Sequence, residues 1–290
     1  MKKLLGILAS PRKLGNSEIV VKEISRLLPE PHELSLLRLS DFDIKPCLGC
    51  YQCLFRPEGC VLKDDFAIVA EALAAADAWI LAVPTYVLGA NASLKRLLDR
   101  GLGFYHRGRE LWKKPAVGIA IAGMEGKEGH TKLEVDSALR LLMAEVKASV
   151  ILYGALPGEV LIPQENRGTL ARLAAALFGE PIPEAGPRCP MCGGDTFRFM
   201  DERTVRCMVC SNAGTFSFSG GKPVFGIESS GHDLFLTEAD AVTHKAWLAS
   251  MKERFIAHKD EIKAITRGFR GTGAWIRPRR PETPIEETEG

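Results

Sequence analysis

The 290-residue chain contains no apolar run long enough to span a bilayer. Its richest stretch, Ile68 to Val83, is interrupted by Glu71 and Asp77 and falls short of the roughly 20 apolar residues that a spanning helix needs. No apolar segment of signal length follows Met1-Lys2-Lys3, so the expected compartment is the cytoplasm, without membrane attachment. An excess of one charge is missing as well. Lys and Arg number 38 against 36 Asp and Glu, a formal net charge of +2. So balanced a surface has no long-range field to gather nucleic acid or anionic lipid, and neither is expected as a partner. Internal repeats are absent too.

What the chain does have is 46% hydrophobic residues, enough for a sizeable core. Its length suits two domains, or one domain with a substantial insert. Up to about residue 155, short apolar runs alternate with helical patterns, the signature of a parallel α/β sheet. Strands are expected at Leu4–Ala9, Glu33–Leu37, Ala78–Val83, Ala116–Ala122 and Ser149–Tyr153. Asn16 or Ser17 is placed to cap the first helix, and Asp64 or Asp65 the second. Five such strands with intervening helices fit a flavodoxin-like doubly wound sheet, whose ligands sit beyond the carboxyl ends of the strands.

Composition changes beyond Tyr153. Pro and Gly bracket a helix near Arg167 to Phe178, making 156–186 a linker with a helix of its own. Residues 187–226, rich in Gly, Thr, Phe and Cys, read as a small β-module. Residues 227–277 then carry a long helix, with Thr237 at its N-cap and Asp240 three residues on, close to a capping box. Leu248, Met251, Phe255, Ile262 and Ile265 form one apolar stripe suited to packing on the sheet or on a second subunit. Residues 278–290, with four Glu and three Pro, are expected to be a disordered tail. The basic run of Arg267, Arg270, Arg277, Arg279 and Arg280 reads as a solvated face.

Three loops fall on one edge of the expected sheet. Ser10-Pro-Arg-Lys-Leu-Gly-Asn-Ser17 joins the first strand to the first helix. Hydroxyls, free amides and a positive helix end make that place an anion site, to which Arg12 adds a charge. The loop is neither a Walker A nor a G-x-G-x-x-G fingerprint, which argues against P-loop NTPases and common dinucleotide folds. Pro84-Thr-Tyr-Val-Leu-Gly-Ala90 follows the third strand, and Ala122-Gly-Met-Glu-Gly126 the fourth. Taken singly, Pro84 or Gly123 merely turns the chain. Three loops converging on one edge point to a ligand, and Tyr86 with the glycines suits a flat ring. His130, Glu125 and the remaining titratable groups form no triad or carboxylate pair by spacing, and the catalytic residues are not legible.

Eight cysteines fall into two groups of four. Cys47-x2-Cys50-x2-Cys53-x6-Cys60 is compact, as in thiolates that wrap an iron–sulfur cube, and it follows the second strand onto the edge of the other loops. Cys189-x2-Cys192-x14-Cys207-x2-Cys210 has two knuckles around a short hairpin, the spacing of a four-cysteine zinc ribbon. Disulfides would need an oxidising compartment, for which nothing else argues.

Ser10-Pro-Arg-x-x-x-Asn-Ser17, Pro84-x-Tyr86 with Leu94-Lys95 and Asp99-Arg100, and Gly123 together resemble the NADPH-dependent FMN reductases. The first cysteine run, followed by Asp64-Asp65, resembles the iron–sulfur flavoproteins among them. The resemblance covers residues 1–155. It implies FMN, its phosphate held by Ser10, Arg12, Asn16 and Ser17, and its ring and ribityl chain lined by Pro84, Thr85, Tyr86, Gly89 and Gly123. It implies a [4Fe–4S] cluster on the first quartet and homo-oligomers in which a cluster approaches a neighbour's flavin. Zn2+ is expected on the second quartet.

The expected work is therefore electron transfer, FMN exchanging electrons with NAD(P)H or a redox partner protein and the cluster relaying them. A plain NAD(P)H-dependent flavin or quinone reductase without a cluster is the nearest alternative. A redox-sensing nucleic-acid binder reading through the ribbon, with Arg198 and Arg206 in contact, is the alternative from another class.

Overall fold

The central strands run through Val, Ile, Leu and Ala with almost no polar interruption, as required where helices cover both faces of a sheet, whereas the edge strands His32–Arg38 and Glu145–Tyr153 admit polar residues. The computed structural model describes residues 1–183, 186–274 and 276. It divides into two units, one from Met1 to Ala249 and one beginning at Ser250. In chain order the first part comprises β1 (Lys2–Leu8), α1 (Asn16–Leu27), β2 (His32–Arg38), α2 (Phe66–Ala75), β3 (Ala78–Tyr86), β4 (Gly89–Ala90), α3 (Ala92–Asp99), α4 (Gly108–Leu111), β5 (Pro115–Ala122), α5 (Thr131–Leu141), β6 (Glu145–Tyr153) and α6 (Gln164–Leu177). The parallel order is β2-β1-β3-β5-β6. With the two-residue β4 set aside, this is the flavodoxin-like order, and its switch point lies between β1 and β3.

Alternation along each strand divides the core into two layers. Leu5, Ile7, Trp79, Leu81 and Val83 face Phe66, Leu73, Leu97 and Leu139. Leu4, Leu8, Ile80, Val117 and Ile119 face Val20, Ile24, Leu170 and Leu173 on the other side. Each expected strand is present, most of them one to four residues longer than the apolar run alone suggests. One element escapes the sequence reading: β4, which pairs antiparallel with the end of β3 through a two-residue turn, Val87-Leu88. Val-Leu is not turn chemistry, so the segment reads as a plain loop.

The second cysteine group belongs to a four-stranded antiparallel sheet of β7 (Phe197–Phe199), β8 (Thr204–Cys207), β9 (Ala213–Ser219) and β10 (Lys222–Ile227), in the order β10-β9-β8-β7. Phe197 stacks on Phe225 with centroids 4.1 Å apart. The module is held to α5 by charge. Lys132 bridges Asp136 at 2.8 Å and Asp195 at 3.0 Å. Arg188 reaches Asp195 at 3.3 Å, and Arg140 donates to the carbonyl of Cys192.

The C-terminal helix begins as expected. Thr237 Oγ1 accepts the Asp240 N–H at 3.1 Å and the Asp240 carboxylate accepts the Thr237 N–H at 2.8 Å, a reciprocal box with Asp in place of Glu. The single long helix is corrected to two, α7 (Glu238–Ala257) and α8 (Lys259–Arg267), because His258 takes φ −105° and ψ 13° and caps a fresh helix. Asp260 and Glu261 in its first turn favour that restart. The expected stripe is divided accordingly. Leu248 is buried with Leu54, Tyr105 and Met143, whereas Phe255, Ile262 and Ile265 are exposed. The tail at 278–290 and Arg277, Arg279 and Arg280 lie outside the described residues. Among the described residues, no helix is long and apolar enough to cross a membrane.

Trp79 is fully buried at the centre of the sheet, and its indole N–H donates to the Leu73 carbonyl at 3.1 Å. Replacing it with alanine is expected to lower stability by about 3–5 kcal/mol in urea unfolding, chiefly through the cavity left behind.

Candidate functional site

A cavity of about 610 Å3 opens at the carboxyl edge of the sheet, over the switch point. The first loop lines it with Ser10, Arg12, Asn16 and Ser17, the second with Pro84, Thr85 and Tyr86, and the third with Gly123. The three loops therefore meet, as their positions after β1, β3 and β5 require. Gly89 does not join the lining. It sits in β4 opposite Tyr86, where a Cβ would come within 2.8 Å of the His130 imidazole. Gly154 and Ala155, after β6, complete the wall. Sequence reasoning missed both, although their place at the end of the fifth parallel strand was a usable signal.

The first loop owes its shape to residues with no motif. Gly15, not Asn16 or Ser17, caps α1, and it does so with its backbone alone. Gly15, Asn16 and Ser17 line the cavity, so the start of α1 reaches it without a capping side chain. Ser10 and Ser17 are buried there. Asn16 is engaged on both sides of its amide: Nδ2 donates to the Gly154 carbonyl at 2.7 Å, and Oδ1 accepts the Gly158 N–H at 2.9 Å. Its side chain locks two loops together and leaves its backbone to face the cavity. Glu18, buried in the first turn, accepts the Leu14 N–H and ion-pairs with Lys22 at 2.6 Å and Arg38 at 2.7 Å. Burial works to raise its pKa, but Lys22, the Leu14 N–H and Arg38 outweigh that and hold it below the ordinary carboxylate value.

The second loop is strained. Val87 and Leu88 adopt φ of 50° and 63°, a region that disfavours side chains with a Cβ by roughly 1–2 kcal/mol each. His130 caps α5 and donates its N–H to the Leu88 carbonyl at 2.9 Å.

Beyond β2, the loop with Cys47, Cys50, Cys53 and Cys60 lines a second cavity, of about 540 Å3, together with Asp99 and Arg100. Left-handed residues Gly49 (φ 61°) and Tyr51 (φ 57°) bend it, and the Gly49 N–H points at Cys47 Sγ at 3.4 Å. Burial, then the neighbouring thiols of Cys60, Cys50 and Cys47, push the Cys53 thiol up. The two acids after the loop close its neck. Asp65 accepts the Asp43 N–H at 2.7 Å; Asp64 accepts the N–H groups of Lys45 at 2.9 Å and Phe66 at 3.2 Å. Asp64 also ion-pairs with Arg100 at 2.5 Å, both side chains being 1% exposed. Arg100 donates further to the Lys45 carbonyl at 2.9 Å and lies 4.6 Å from the Phe66 ring centroid. Cys60 is a third partner of its guanidinium.

In the β-module the other four thiols draw close. All four lie within 4.8 Å of one another, the group of the described residues that gathers this tightly. Cys189 Sγ is 3.8 Å from Cys210 Sγ, and Cys192 Sγ 3.5 Å from Cys207 Sγ. The Cys207 thiol is drawn down by hydrogen bonds from Cys192 and Cys210, and that same sharing drives Cys192 up. At this spacing, four thiolates would need a cation among them.

Burial works to raise the Asp64 pKa, but the Arg100 hydrogen bond, the Lys45 and Phe66 amides and the Arg100 charge together hold it below its ordinary value. The stabilisation from that shift is complete above the ordinary carboxylate value and is lost as pH falls through the folded pKa. Asp64→Asn is expected to destabilise by about 3–5 kcal/mol at neutral pH, since it leaves Arg100 buried without its counter-charge. The difference between the two proteins should shrink as unfolding is measured below about pH 4.

Residues 2–158 match the NADPH-dependent FMN reductase family. An iron–sulfur flavoprotein of Archaeoglobus fulgidus is 32% identical over 159 residues, which cover 54% of this chain and 71% of that protein. One from Methanocaldococcus jannaschii is 35% identical over 140 residues, 46% of this chain and 68% of that one. A solved structure of a flavone reductase shares the fold at a TM-score of 0.76, with 19% identity, over 96% of this chain and 100% of that one. With the three-loop cavity and the cysteine loop in place, the chain belongs to the NADPH-dependent FMN reductase family as one of its iron–sulfur flavoproteins, a flavin-dependent oxidoreductase with an added four-cysteine module.

Proposed function

We propose that this oxidoreductase relays electrons between FMN at the three-loop cavity and a [4Fe–4S] cluster on Cys47, Cys50, Cys53 and Cys60, with a structural Zn2+ on Cys189, Cys192, Cys207 and Cys210. When bound, FMN supplies hydride or single-electron exchange, and the cluster carries electrons one at a time.

The observation that carries this reading is the contrast between the quartets. A tetrahedral zinc with Zn–S bonds of about 2.3 Å sets its sulfurs roughly 3.8 Å apart, and the module's sulfurs are 3.8 and 3.5 Å apart. The first quartet instead lines an open pocket with Asp99 and Arg100, and among the described residues its thiols do not gather as the module's do, which suits a larger inorganic group that holds its cysteines wider apart. Buried hydroxyls of Ser10 and Ser17, the free amides of α1 and the Arg12 guanidinium suit the FMN phosphate. Tyr86 and Pro84 suit one wall of the ring, and Gly123 keeps the third loop low enough for a ring to pass. Gly89, away from the lining, supports Tyr86 across the hairpin.

Around these groups the chain's own residues bind and orient. Asn16 fixes the 154–158 loop against the phosphate loop. The α3 helix links the two cavities. Its Ser93 hydroxyl donates to the Ala9 carbonyl at 2.9 Å, at the start of the phosphate loop, and Arg100 closes its far end among the cysteines. Eight helical residues place those ends about 12 Å apart. NAD(P)H or a redox partner protein exchanges electrons with this pair, in a cytoplasmic homo-oligomer.

Protein purified without oxygen should carry about four irons and four sulfides, with one FMN and one zinc per chain. Flavin and zinc without iron, after anaerobic reconstitution, would replace the relay with a simple flavin or quinone reductase. Arg12→Ala should weaken FMN binding by roughly 1.5–3 kcal/mol, read by flavin fluorescence, the loss of one charge-assisted hydrogen bond.

A further inference from the structure

Arg100 has more donors than its ion pair uses. Nη1 gives to Asp64 Oδ2 at 2.5 Å and to the Lys45 carbonyl at 2.9 Å, and Nη2 gives to Asp64 Oδ1 at 3.3 Å. A guanidinium carries more N–H groups in its rigid fork than these bonds take, and the fork also bonds to Cys60. Burial works to lower the Arg100 pKa, but the Asp64 hydrogen bond, the charges of Cys60 and Asp64 and the Cys60 hydrogen bond outweigh it. The cation is 2% exposed, where water screens its field little. It lines the cysteine cavity beside Cys60, which is half-buried against the core of the sheet. The other three thiols sit differently. Cys47 and Cys50 are exposed, with the neutral Gly49 N–H pointing at Cys47, and Cys53 packs beside Leu54 and Tyr105.

A cluster that takes up an electron gains negative charge, and a hydrogen bond or a cation at one ligand sulfur favours that state. The Asp64 carboxylate, bound to the same guanidinium, offsets part of the cation's field. We propose that Arg100 acts through Cys60 to set the reduction potential of the cluster on the first quartet, with Asp64 as the counter-charge that limits how far it is raised. The step it biases is the passage of one electron from FMN to the cluster. The flavin is oxidised by one electron, the cluster is reduced by one, and no covalent bond of Arg100 is made or broken. The proposal rests on the cluster reading above. An arginine that only anchored the loop would act alike with both neighbours: Arg100→Lys and Asp64→Asn would each loosen the neck, and any change in potential would follow in one direction. A potential-setting arginine separates the two. Lysine keeps a charge for Asp64 but lacks the fork that also reaches Cys60, so the cluster becomes harder to reduce. Asparagine leaves the cation without its counter-charge, so the cluster becomes easier to reduce.

The test is an anaerobic redox titration of the iron- and flavin-loaded protein, with the cluster followed by electron paramagnetic resonance and FMN by absorbance. The cluster's one-electron reduction equilibrium should fall about tenfold in Arg100→Lys, which is about 59 mV, and rise by a similar factor in Asp64→Asn. The FMN potential should stay as in the parent protein in both. Cluster potentials that match the parent's, or that move the same way in the two variants, would overturn the proposal. So would an equal shift of the FMN potential, which marks a general change of the fold. An Arg100→Lys protein that folds but holds no iron would make Arg100 a loop anchor alone, and overturns the proposal as well. Should Asp64→Asn not fold, the charge-free pair Asp64→Asn/Arg100→Met takes its place. It removes the donor to Cys60 without stranding a buried charge, and its cluster potential must then lie below the parent's, as that of Arg100→Lys does. A parent protein without iron after anaerobic reconstitution would defeat the cluster reading itself, which is a separate result.

Discussion

The ion pair between Asp64 and Arg100 is the constraint on which the redox half of the molecule depends. Burying either charge alone would cost several kcal/mol, so the two have to arrive together, and their arrival closes the cysteine loop. Asp64 reaches back to the amide of Lys45 while Arg100 reaches the carbonyl of the same residue. The neck of the loop is thereby held on both its donor and acceptor sides. Because Arg100 ends α3 and Ser93 near its start is tied to Ala9, the pair also fixes the distance between the two cavities. A single salt bridge is weak evidence for stability, but here it determines geometry.

The two cysteine groups differ in how open they are. Those of the β-module are mostly buried, close together and inside a small core of Val205, Ile227 and the phenylalanines. Those of the loop are partly exposed, beside Leu48, Tyr51 and Phe55, which are exposed as well. A closed site suits an ion that stabilises; an open one suits a group that must meet a partner.

Much of this was legible from residue types. Apolar runs located the central strands, because strands covered on both faces have little room for polar residues, while the polar edge strand at His32–Arg38 gave a weaker signal. Cysteine spacing separated the two quartets, because x2 knuckles around a hairpin and a compact x2-x2-x6 run enclose different volumes. The loops at Ser10, Pro84 and Gly123 were placed on one edge by strand order alone. What escaped was long-range or contrary to local propensity. Gly154 acts through Asn16 and Glu18 in part through Arg38, partners many positions away, and neither carries a motif. Gly15 capped α1 where Asn16 had the better chemistry, since Asn16 was needed between Gly154 and Gly158. The β3–β4 hairpin was hidden because Val-Leu occupies a turn that local rules give to Asn-Gly. The helix at 238–267 looked continuous because its apolar spacing carries across His258, while the acidic pair after it starts a new helix.

The docking of the module onto α5 joins parts that the sequence leaves more than fifty residues apart. Arg140 grips the backbone of Cys192 itself, and Asp195, three residues later, holds Lys132. Whatever ion the module's thiols take up, its binding free energy is shared with the helix that backs the flavin sheet and anchors the hairpin at Leu88. On the proposed reading, a chain that missed its ion would have a looser α5 and a less settled hairpin, and its maturation would be conditional on metal supply.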